Sequence, residues 1–431
     1  MNPSSRRPAP RYPRRREGKD TRTDRSMSNQ PLDRQAHSSS VSILPSTSNS
    51  NSNIVAHEEG EQAFQVWWQP SNVDMRTLFY RLVRANWLLV MVPLGIVAAI
   101  LGWSVLAVFL GNFLALVALA PLMTALVEKL ATVFAGTLGG LLNATMGNAM
   151  EMMLGIMAVA RGHPAMARTS LLGSMLSYAL LVLGTTVFLA SYNKKTLKFN
   201  GPLMRTMSSI VMAVSTTLVV LTIMAVTSPD SDENSNLLIL SHGTAIILLA
   251  VFAIYLYFQL KTHTWFIDTL KVNNSTTEPD EIIAREHPSS TLRLHSAGSV
   301  GVIATLCAVV CAFFLVASIE ETASVLGTSK TFLSLVAIPF PGYAAKGISI
   351  ISLGRRNRMD YVIKSIIDHI LQIILFVFPL LVLLGWLLVQ PFTLNFNIFE
   401  ATTFFLVMII TTSIIRGGSS NYFDGIMLVG T

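Results

Sequence analysis

Long apolar runs alternate with short polar stretches over most of the chain, and each run is about 20 residues or more. A bilayer core about 30 Å thick needs roughly 20 apolar residues per helix. The pattern therefore predicts an all-α polytopic membrane protein with about ten transmembrane helices. The predicted helices run near 86–102, 104–126, 133–160, 169–192, 206–227, 237–260, 297–325, 331–353, 362–389 and 396–415.

Polar side chains interrupt the third run, GLLNATMGNAMEMMLG at residues 140–155, which holds Asn143, Asn148 and Glu151. A carboxylate at the centre of a membrane helix costs a few kcal/mol, so its presence indicates function. The structural alternative is that Glu151 is a helix-packing group paired with Asn148 or a hydroxyl. A similar stretch near the other end, VAIPFPGYAAKGISII at 336–351, carries Lys346 instead of an acid.

The two stretches belong to related halves of the chain. Gly147 and Gly342 are 195 residues apart, and the same offset carries Gly173 onto Asp368. An odd number of predicted helices separates the two glycine-centred helices, so they cross the membrane in opposite directions. Inverted repeats of this kind are typical of alternating-access transporters, whose substrate binds between the repeats on interrupted helices.

Composition agrees with a membrane protein: 52% of the residues are hydrophobic, only 13% are charged, and the mean hydropathy is +0.54. Soluble proteins have about 25% charged residues. The two cysteines, Cys307 and Cys311, lie in an apolar run and are expected to be packing thiols. Scattered Ser and His residues have no nucleophile or metal-ligand spacing, so the sequence predicts no enzyme and no cofactor.

The net charge of +7 is concentrated at the start of the chain, in RRPAPRYPRRREGKDTRTDR at 6–25. Such a segment cannot bury enough apolar surface to fold, so we predict a disordered cytoplasmic tail at 1–80 near anionic lipid. Nucleic-acid binding is not expected ahead of a membrane domain. No apolar segment begins the chain, so no cleavable signal peptide is expected.

Basic residues in short loops predict the orientation. Lys194, Lys198 and Arg355 lie in loops expected on the cytoplasmic side, whereas Arg161 and Arg168 fall on the far side and break the rule. We predict a first repeat at 84–260 with a leading helix, a cytoplasmic linker at 261–296 and a second repeat at 297–431. The linker is expected to be a solvated connection; a regulatory metal patch is the alternative.

Oxygen ligands from a carboxylate, amides and backbone carbonyls suit a hard cation such as Ca²⁺. Gly147, and Pro339 and Pro341 in the other half, loosen backbone hydrogen bonding and can free carbonyls to face a cavity. Because a carboxylate can take a proton in place of a metal ion, Glu151 alone could exchange one for the other.

Several longer stretches resemble the cation/proton exchangers of fungal and plant vacuoles, of the calcium/cation antiporter superfamily. They include GLLNATMGNAMEMMLGIMAV at 140–159, TSLLGSMLSYALLVLG at 169–184 and FLVASIEETASVLGTSKTFLSLVAIP at 314–339. The resemblance runs from about residue 84 to the C-terminus. It implies an antiporter in the vacuolar membrane that uses the proton gradient to move Ca²⁺ out of the cytosol. Its substrates would be Ca²⁺ and protons, within the lipid bilayer, and homo-oligomerisation stays open.

The first motif of this family, G-N-x-x-E, is intact as Gly147, Asn148 and Glu151, and the resemblance implies that Glu151 and Asn148 contact the metal ion. Other positions match as well. They are Asn143, Thr145, Gly173, Ser174, Ser177, Gln372 and Glu400, together with Glu128 and Glu320 near the cytoplasmic and opposite mouths.

The second motif departs from the family. Where G-N-A-A-E-H is usual, this chain has Tyr343 and Lys346, and the usual G-S-S before the glutamine is Asp368, His369, Ile370. Two further departures are Tyr178 for an Asn and His242 for an Arg. The chain also ends at Thr431, inside what the resemblance makes its last helix.

Exchanging a carboxylate for an ammonium changes the formal charge of the site by two units. One pair of unit charges about 4 Å apart is worth roughly 4 kcal/mol at an effective dielectric of about 20. We therefore expect weaker Ca²⁺ binding, with Lys346 near Glu151 as a tethered substitute cation that forms an ion pair. Asp368 and His369 could compensate with an acid and a titratable base, or could face elsewhere. A transport-inactive regulatory protein and a monovalent cation/proton antiporter that uses Glu151 with Asp368 remain alternatives.

Overall fold

The structure is a computed structural model that describes residues 87–227, 233–262 and 294–431, apart from positions 135, 193, 195 and 391. The predicted basic tail and most of the predicted linker lie outside these residues. The described helices of the first half are α1 (Met91–Ile100, after a 3-10 turn at Trp87–Val90), α2 (Val105–Phe134), α3 (Gly136–Met146), α4 (Ala149–Ala160), α5 (Pro164–Leu176), α6 (Leu183–Ser191), α7 (Gly201–Thr227) and α8 (Glu233–Tyr257).

The second half begins with the longest described helix, α9 (Leu294–Leu326). It continues with α10 (Lys330–Phe332), α11 (Phe340–Arg355), α12 (Met359–Gln372), α13 (Phe378–Leu387), α14 (Ile398–Arg416) and α15 (Tyr422–Gly430). Two short strands, β1 (Leu197–Lys198) and β2 (Ser419–Ser420), pair antiparallel.

Seven helical segments of the described chain are long and apolar enough to cross a membrane, and the bent pair Lys330–Ala344 and Lys346–Arg355 makes an eighth. Two shorter apolar helices, Trp87–Ile100 and Ala149–Ala160, fall at the remaining predicted positions. The chain is thus an all-α polytopic membrane protein with about ten transmembrane helices. Helix α2 packs mainly on α9 and α1, and α7 packs on α14.

The third predicted helix, 133–160, is not continuous. It divides into α3 and α4, and Gly147 and Asn148 lie at the break. The eighth predicted helix is bent by 60° between its two parts, next to Lys346. Glycine lies at or beside both interruptions, at Gly147 and at Gly347, and it lowers the stability of a helix at these positions. Both interrupted helices lie at matching places of the two inverted repeats.

A second irregularity also repeats. A π-helical segment, Ser177–Val182, joins α5 to α6, and another, Ile373–Val377, joins α12 to α13. Ser177 and Gln372, which begin and precede these segments, are separated by the repeat offset of 195 residues. Single π turns inside α-helices occur often at functional sites. The helix pairs α5–α6 and α12–α13 are therefore candidates, together with the two interrupted helices, for the functional region.

The loops predicted to be cytoplasmic lie at one end of the helices. Lys194 Nζ donates to Asn357 Oδ1 at 2.9 Å, and the backbone N–H of Asn200 donates to Asp360 Oδ1 at 2.7 Å. The strand pair, Leu197 opposite Ser420, adds the end of α14 to this group.

The two arginines that broke the charge rule lie at the opposite end, and each has partners there; Arg168 also has the Glu400 carboxylate within electrostatic reach. The Arg161 guanidinium lies 3.6 Å from the centre of the Phe313 ring, and Arg168 Nη1 donates to Thr393. A cation–π contact and hydrogen bonds to Thr393 stabilise these charges locally. The position of the two arginines therefore does not contradict the predicted orientation.

Candidate ion site between the broken helices

Glu151 is the third residue of α4 and is 3% exposed. This is the positive end of the helix dipole, where a carboxylate is stabilised by about 0.3–1 kcal/mol, or by up to ~2 kcal/mol when partly buried. Its Oε1 atom has no hydrogen-bond partner among the described residues. A buried carboxylate oxygen without a partner is costly unless a proton or a cation satisfies it, so Glu151 is able to take either.

Gly342, from the opposite repeat, lies against this carboxylate. A Cβ atom built on Gly342 would come within 2.6 Å of Glu151 Oε1 and 2.9 Å of its carboxyl carbon. Only glycine allows so close an approach. The two glycine-centred motifs therefore meet, and the carboxylate of one contacts the backbone of the other.

Asn148 precedes α4 but does not cap it with its side chain. Its Nδ2 donates to Gln372 Oε1 at 3.1 Å, and its Oδ1 lies 2.6 Å from His369 Nδ1. His369 Nε2 lies in turn 3.2 Å from Ser174 Oγ. Because Asn148 Oδ1 can only accept, Nδ1 carries the proton in the neutral ring and Nε2 accepts from the Ser174 hydroxyl.

This network joins the repeats. Asn148 and Ser174 belong to the first half, and His369 and Gln372 to the second; each side chain is at most 9% exposed. The Tyr178 ring covers His369, with ring centres 3.7 Å apart, and Tyr343 meets Tyr178 edge-on at 6.4 Å. Both amide oxygens that the resemblance assigned to the ion site are thus occupied as acceptors: Gln372 Oε1 accepts from the Asn148 amide, and Asn148 Oδ1 accepts from the imidazole.

Lys346 does not form the expected ion pair with Glu151. Its Nζ donates to the backbone carbonyl of Gly147, just beyond the end of α3. The prediction of an ion pair was wrong because the carbonyl end of a helix carries negative potential and attracts an ammonium group. Lys346 nevertheless reaches the same break as the acid, since Gly147 precedes α4 and Glu151 lies in its first turn.

Asp368 does not join Glu151 either. Its carboxylate accepts from Lys364 Nζ, from Tyr255 Oη at 2.6 Å and from Gln259 Nε2 at 3.2 Å. The proposed compensation is therefore divided: His369 enters the network, whereas Asp368 is held by Lys364 of its own helix, by Tyr255 of α8 and by Gln259 of the π-helical segment after α8 (Phe258–Thr262). Sequence analysis missed Lys364, although its position four residues before Asp368 is a readable helix-pairing signal.

A cavity of about 760 Å³ opens beside the break. Its wall includes Asn148, His369 and Gln372 of the network, and also Asn143, Lys346, Lys364, Asp368 and Glu128. Glu128 and Tyr361 lie at the end of the helices that carries the Lys194 and Asn357 loops, so the cavity approaches the site from that end. Glu151 is not part of the cavity wall and lies behind Gly147 and Gly342.

The remaining predicted residues lie farther away. Ser177 is beside Tyr343, and Thr145 bonds to the carbonyl groups of its own helix. Glu320 pairs with Lys330 at 2.7 Å, and Glu400 accepts from Thr169 Oγ1 at 3.1 Å. His242 stacks on Trp386, with ring centres 4.7 Å apart. These last contacts lie at the end of the molecule opposite the cavity mouth.

Among the described residues, no group of three or more His, Cys, Asp or Glu side chains is placed to hold a metal ion. Cys307 and Cys311 are free thiols, and Cys311 is buried.

Comparison with known proteins agrees with the architecture. A family profile described as "Sodium/calcium exchanger protein" matches residues 104–261 and 298–431, more than half of the chain. The vacuolar calcium ion transporter of Schizosaccharomyces pombe is 34% identical over 345 residues, 80% of this chain and 81% of the relative. A Ca(2+)/H(+) antiporter of Synechocystis is 32% identical over 352 residues, 80% of this chain and 93% of the relative.

Solved structures give the same result. The structure of native YfkE superimposes with a TM-score of 0.66 at 25% identity, covering 82% of this chain and 96% of that one. The H⁺/Ca²⁺ exchanger CAX superimposes with a TM-score of 0.59 at 14% identity, covering 83% and 87%, and shows the shared fold. The resemblance to the cation/proton exchangers is confirmed, and the chain belongs to the sodium/calcium exchanger family of membrane transporters.

Proposed function

We propose that the protein is a Ca²⁺/H⁺ antiporter that moves Ca²⁺ from the cytosol into the vacuole and is driven by the proton gradient. The observation that carries the proposal is Glu151, a buried carboxylate with an unbonded oxygen at the meeting point of two broken helices. A proton or a cation can satisfy that oxygen, and binding of one excludes the other. Relatives named as vacuolar calcium transporters and Ca(2+)/H(+) antiporters support the choice of ions.

The direction of transport rests on the charge pattern. We assign the end with Lys194, Lys198 and Arg355 to the cytoplasm, by the excess of basic residues in short loops. The cavity beside Asn148 then opens to the cytosol and would receive Ca²⁺ there. In this arrangement 84–260 and 297–431 are the two repeats, and 261–296 is a cytoplasmic linker between them.

Transport would proceed by alternating access. Glu151 and the network of Asn148, His369 and Gln372 lie between the repeats, so a movement of one repeat against the other can expose them to either side. Protonation of Glu151 on the acidic side would release the cation, and loss of the proton on the cytosolic side would restore the binding state.

Proton-driven ⁴⁵Ca²⁺ uptake into sealed vesicles tests this function. Wild-type uptake should depend on an imposed pH gradient and vanish with a protonophore, and Glu151→Gln should reduce it at least about 100-fold. Glu321→Gln is the matched control, because Glu321 is exposed at the far end of α9. Uptake that persists in Glu151→Gln would rule out this carboxylate as the exchanging group. Fractionation of membranes from cells that express a tagged protein tests whether the protein resides in the vacuolar membrane.

A second candidate is a transport-inactive or selectivity-altered protein. The contact of Lys346 with the Gly147 carbonyl favours it, because an ammonium replaces the second carboxylate of the family. The version that pairs Glu151 with Asp368 has less support, since Asp368 is held by Lys364, Tyr255 and Gln259. Ca²⁺ uptake that appears in the Lys346→Glu variant and not in the wild type would indicate that the wild-type protein is inactive in transport. A Na⁺ or K⁺ flux that requires Glu151 would indicate the selectivity-altered protein.

A further inference from the structure

The break between α3 and α4 holds two opposite charges, and each lies at the helix end that suits it. The Lys346 ammonium is bonded to the Gly147 carbonyl at the negative end of α3. The Glu151 carboxylate lies in the first turn of α4, at the positive end of that helix. Helix dipoles therefore stabilise both charges without contact between them.

Neither charge belongs to an ion pair. Within the part of the chain that the structure describes, ion pairs join Glu320 to Lys330 and His163, and Lys364 to Asp368. Lys346 and Glu151 take part in none of them. Glu151 Oε1 is buried and unbonded, so the acid remains available although a lysine lies beside the same break.

The oxygen that Lys346 occupies is one that a cation would need. Unwound carbonyls and the C-terminal ends of half-helices coordinate cations in transporters with interrupted helices. Ca²⁺ requires six to eight oxygen ligands. With the second acid absent and the Gly147 carbonyl bonded to an ammonium, the site has lost a charge and a ligand to the same side chain.

We propose that Lys346 is a tethered cation that competes with the transported ion for the Glu151 site and thereby sets its affinity. The proposal deepens the proposed function and rests on it for the identity of the ion. Because the ammonium is bonded to a neutral carbonyl and not to the carboxylate, its displacement breaks no ion pair. Lys346 also lines the cavity, where Glu128 lies within electrostatic reach and offers the ammonium an alternative position.

The competition also bears on selectivity. A lysine and a glutamate together bring no net charge to the site, so a bound divalent cation would leave two positive charges in a medium of low dielectric constant. Removal of the lysine charge should therefore strengthen the binding of Ca²⁺ more than that of K⁺.

The test measures binding and not flux. Purified full-length protein in detergent is titrated with CaCl₂, and the shift of the thermal unfolding midpoint gives the apparent Kd. Lys346→Met, with Lys346→Gln as a second neutral variant, should bind Ca²⁺ at least about tenfold more tightly than wild type. Lys346→Arg, which keeps the charge, should bind Ca²⁺ less tightly than the two neutral variants, and Lys198→Met, which removes an exposed lysine elsewhere, should bind as wild type does. Adding Glu151→Gln to Lys346→Met should abolish the gain.

Three results would overturn the proposal: unchanged Kd values in both neutral variants, an equal gain in Lys198→Met, or a gain that survives Glu151→Gln. Its failure is distinct from failure of the proposed function. Absence of Ca²⁺ flux in wild type together with a tenfold gain in Lys346→Met leaves the tethered cation supported and rejects exchange by the wild type. Normal Ca²⁺ flux in wild type with no gain of affinity in Lys346→Met supports the proposed function and rejects the tethered cation.

Discussion

Ser174 Oγ and His369 Nε2 lie 3.2 Å apart across the interface of the two repeats, and the two residues are separated by the repeat offset of 195 positions. Residues related by the inverted repeat are thus in direct contact at the centre of the molecule. The pair is asymmetric, because a hydroxyl on one side donates to an imidazole on the other. The rest of the network, Asn148 and Gln372, extends from this contact.

Replacement of Ser174 by alanine should destabilise the protein through this contact. The change leaves His369 Nε2 buried without a donor, which costs about 1–3 kcal/mol. The free energy of unfolding, measured by thermal or denaturant unfolding in detergent, should fall by that amount. Ser209→Ala is the matched control, since Ser209 is exposed and bonds only to the Arg205 carbonyl of its own helix. Equal effects of the two changes would contradict the network.

Replacement of Gly342 by alanine should displace Glu151. The new Cβ would lie 2.6 Å from Glu151 Oε1, so either the carboxylate or α11 has to move, at a cost of about 1–3 kcal/mol. We expect Glu151-dependent cation transport to fall at least about tenfold. Gly243→Ala is the control for replacing a helix glycine by alanine without a clash, because a Cβ there meets no atom within 4 Å. That control should keep wild-type transport, and wild-type transport in Gly342→Ala would show that the close approach is unimportant.

The sequence predicted the membrane helices well, because apolar runs are a local signal, but it predicted 133–160 and 331–353 as continuous helices, and both are interrupted in the structure. Apolar runs fix the helices, and a glycine lies at or beside each interruption, Gly147 in the first half and Gly347 in the second. The repeat offset related Gly147 to Gly342, and the structure places Gly342 against Glu151 of the Gly147 motif.

The orientation of individual side chains was less accessible. Consecutive helix residues point about 100° apart, so Asp368 and His369 could not both enter one network, and their order alone does not say which one does. The partner of Asp368 was readable from Lys364 at the i,i+4 position. The bond from Lys346 to a backbone carbonyl was not readable, because a long flexible side chain can reach several acceptors and the sequence does not give the position of the Gly147 carbonyl.

Arg168 should contribute to stability through the loop before α14. Its Nη1 donates to the Thr393 carbonyl at 3.0 Å and to the Thr393 hydroxyl at 2.9 Å. Arg168→Met should lower the free energy of unfolding by about 1.5–3 kcal/mol, since both acceptors lose a charged donor. Thr393→Val removes only the hydroxyl and keeps the carbonyl bond, so its effect should be smaller. A larger loss in Thr393→Val than in Arg168→Met would show that the guanidinium does not hold this loop.

Asp368 and Lys364 should behave as a buried pair and not as part of the ion site. Lys364 is 8% exposed, so Asp368→Asn leaves a buried ammonium without its counter-charge, at a cost of about 3–5 kcal/mol. Lys364→Met should cost less, because Tyr255 and Gln259 still donate to the carboxylate. The double variant Lys364→Met/Asp368→Asn should recover part of the loss, as unfolding measurements on all four proteins in a double-mutant cycle would show. Strict additivity of the two single changes would mean that the pair is not coupled. Loss of Ca²⁺ binding in the double variant, with stability restored, would instead return Asp368 to the ion site.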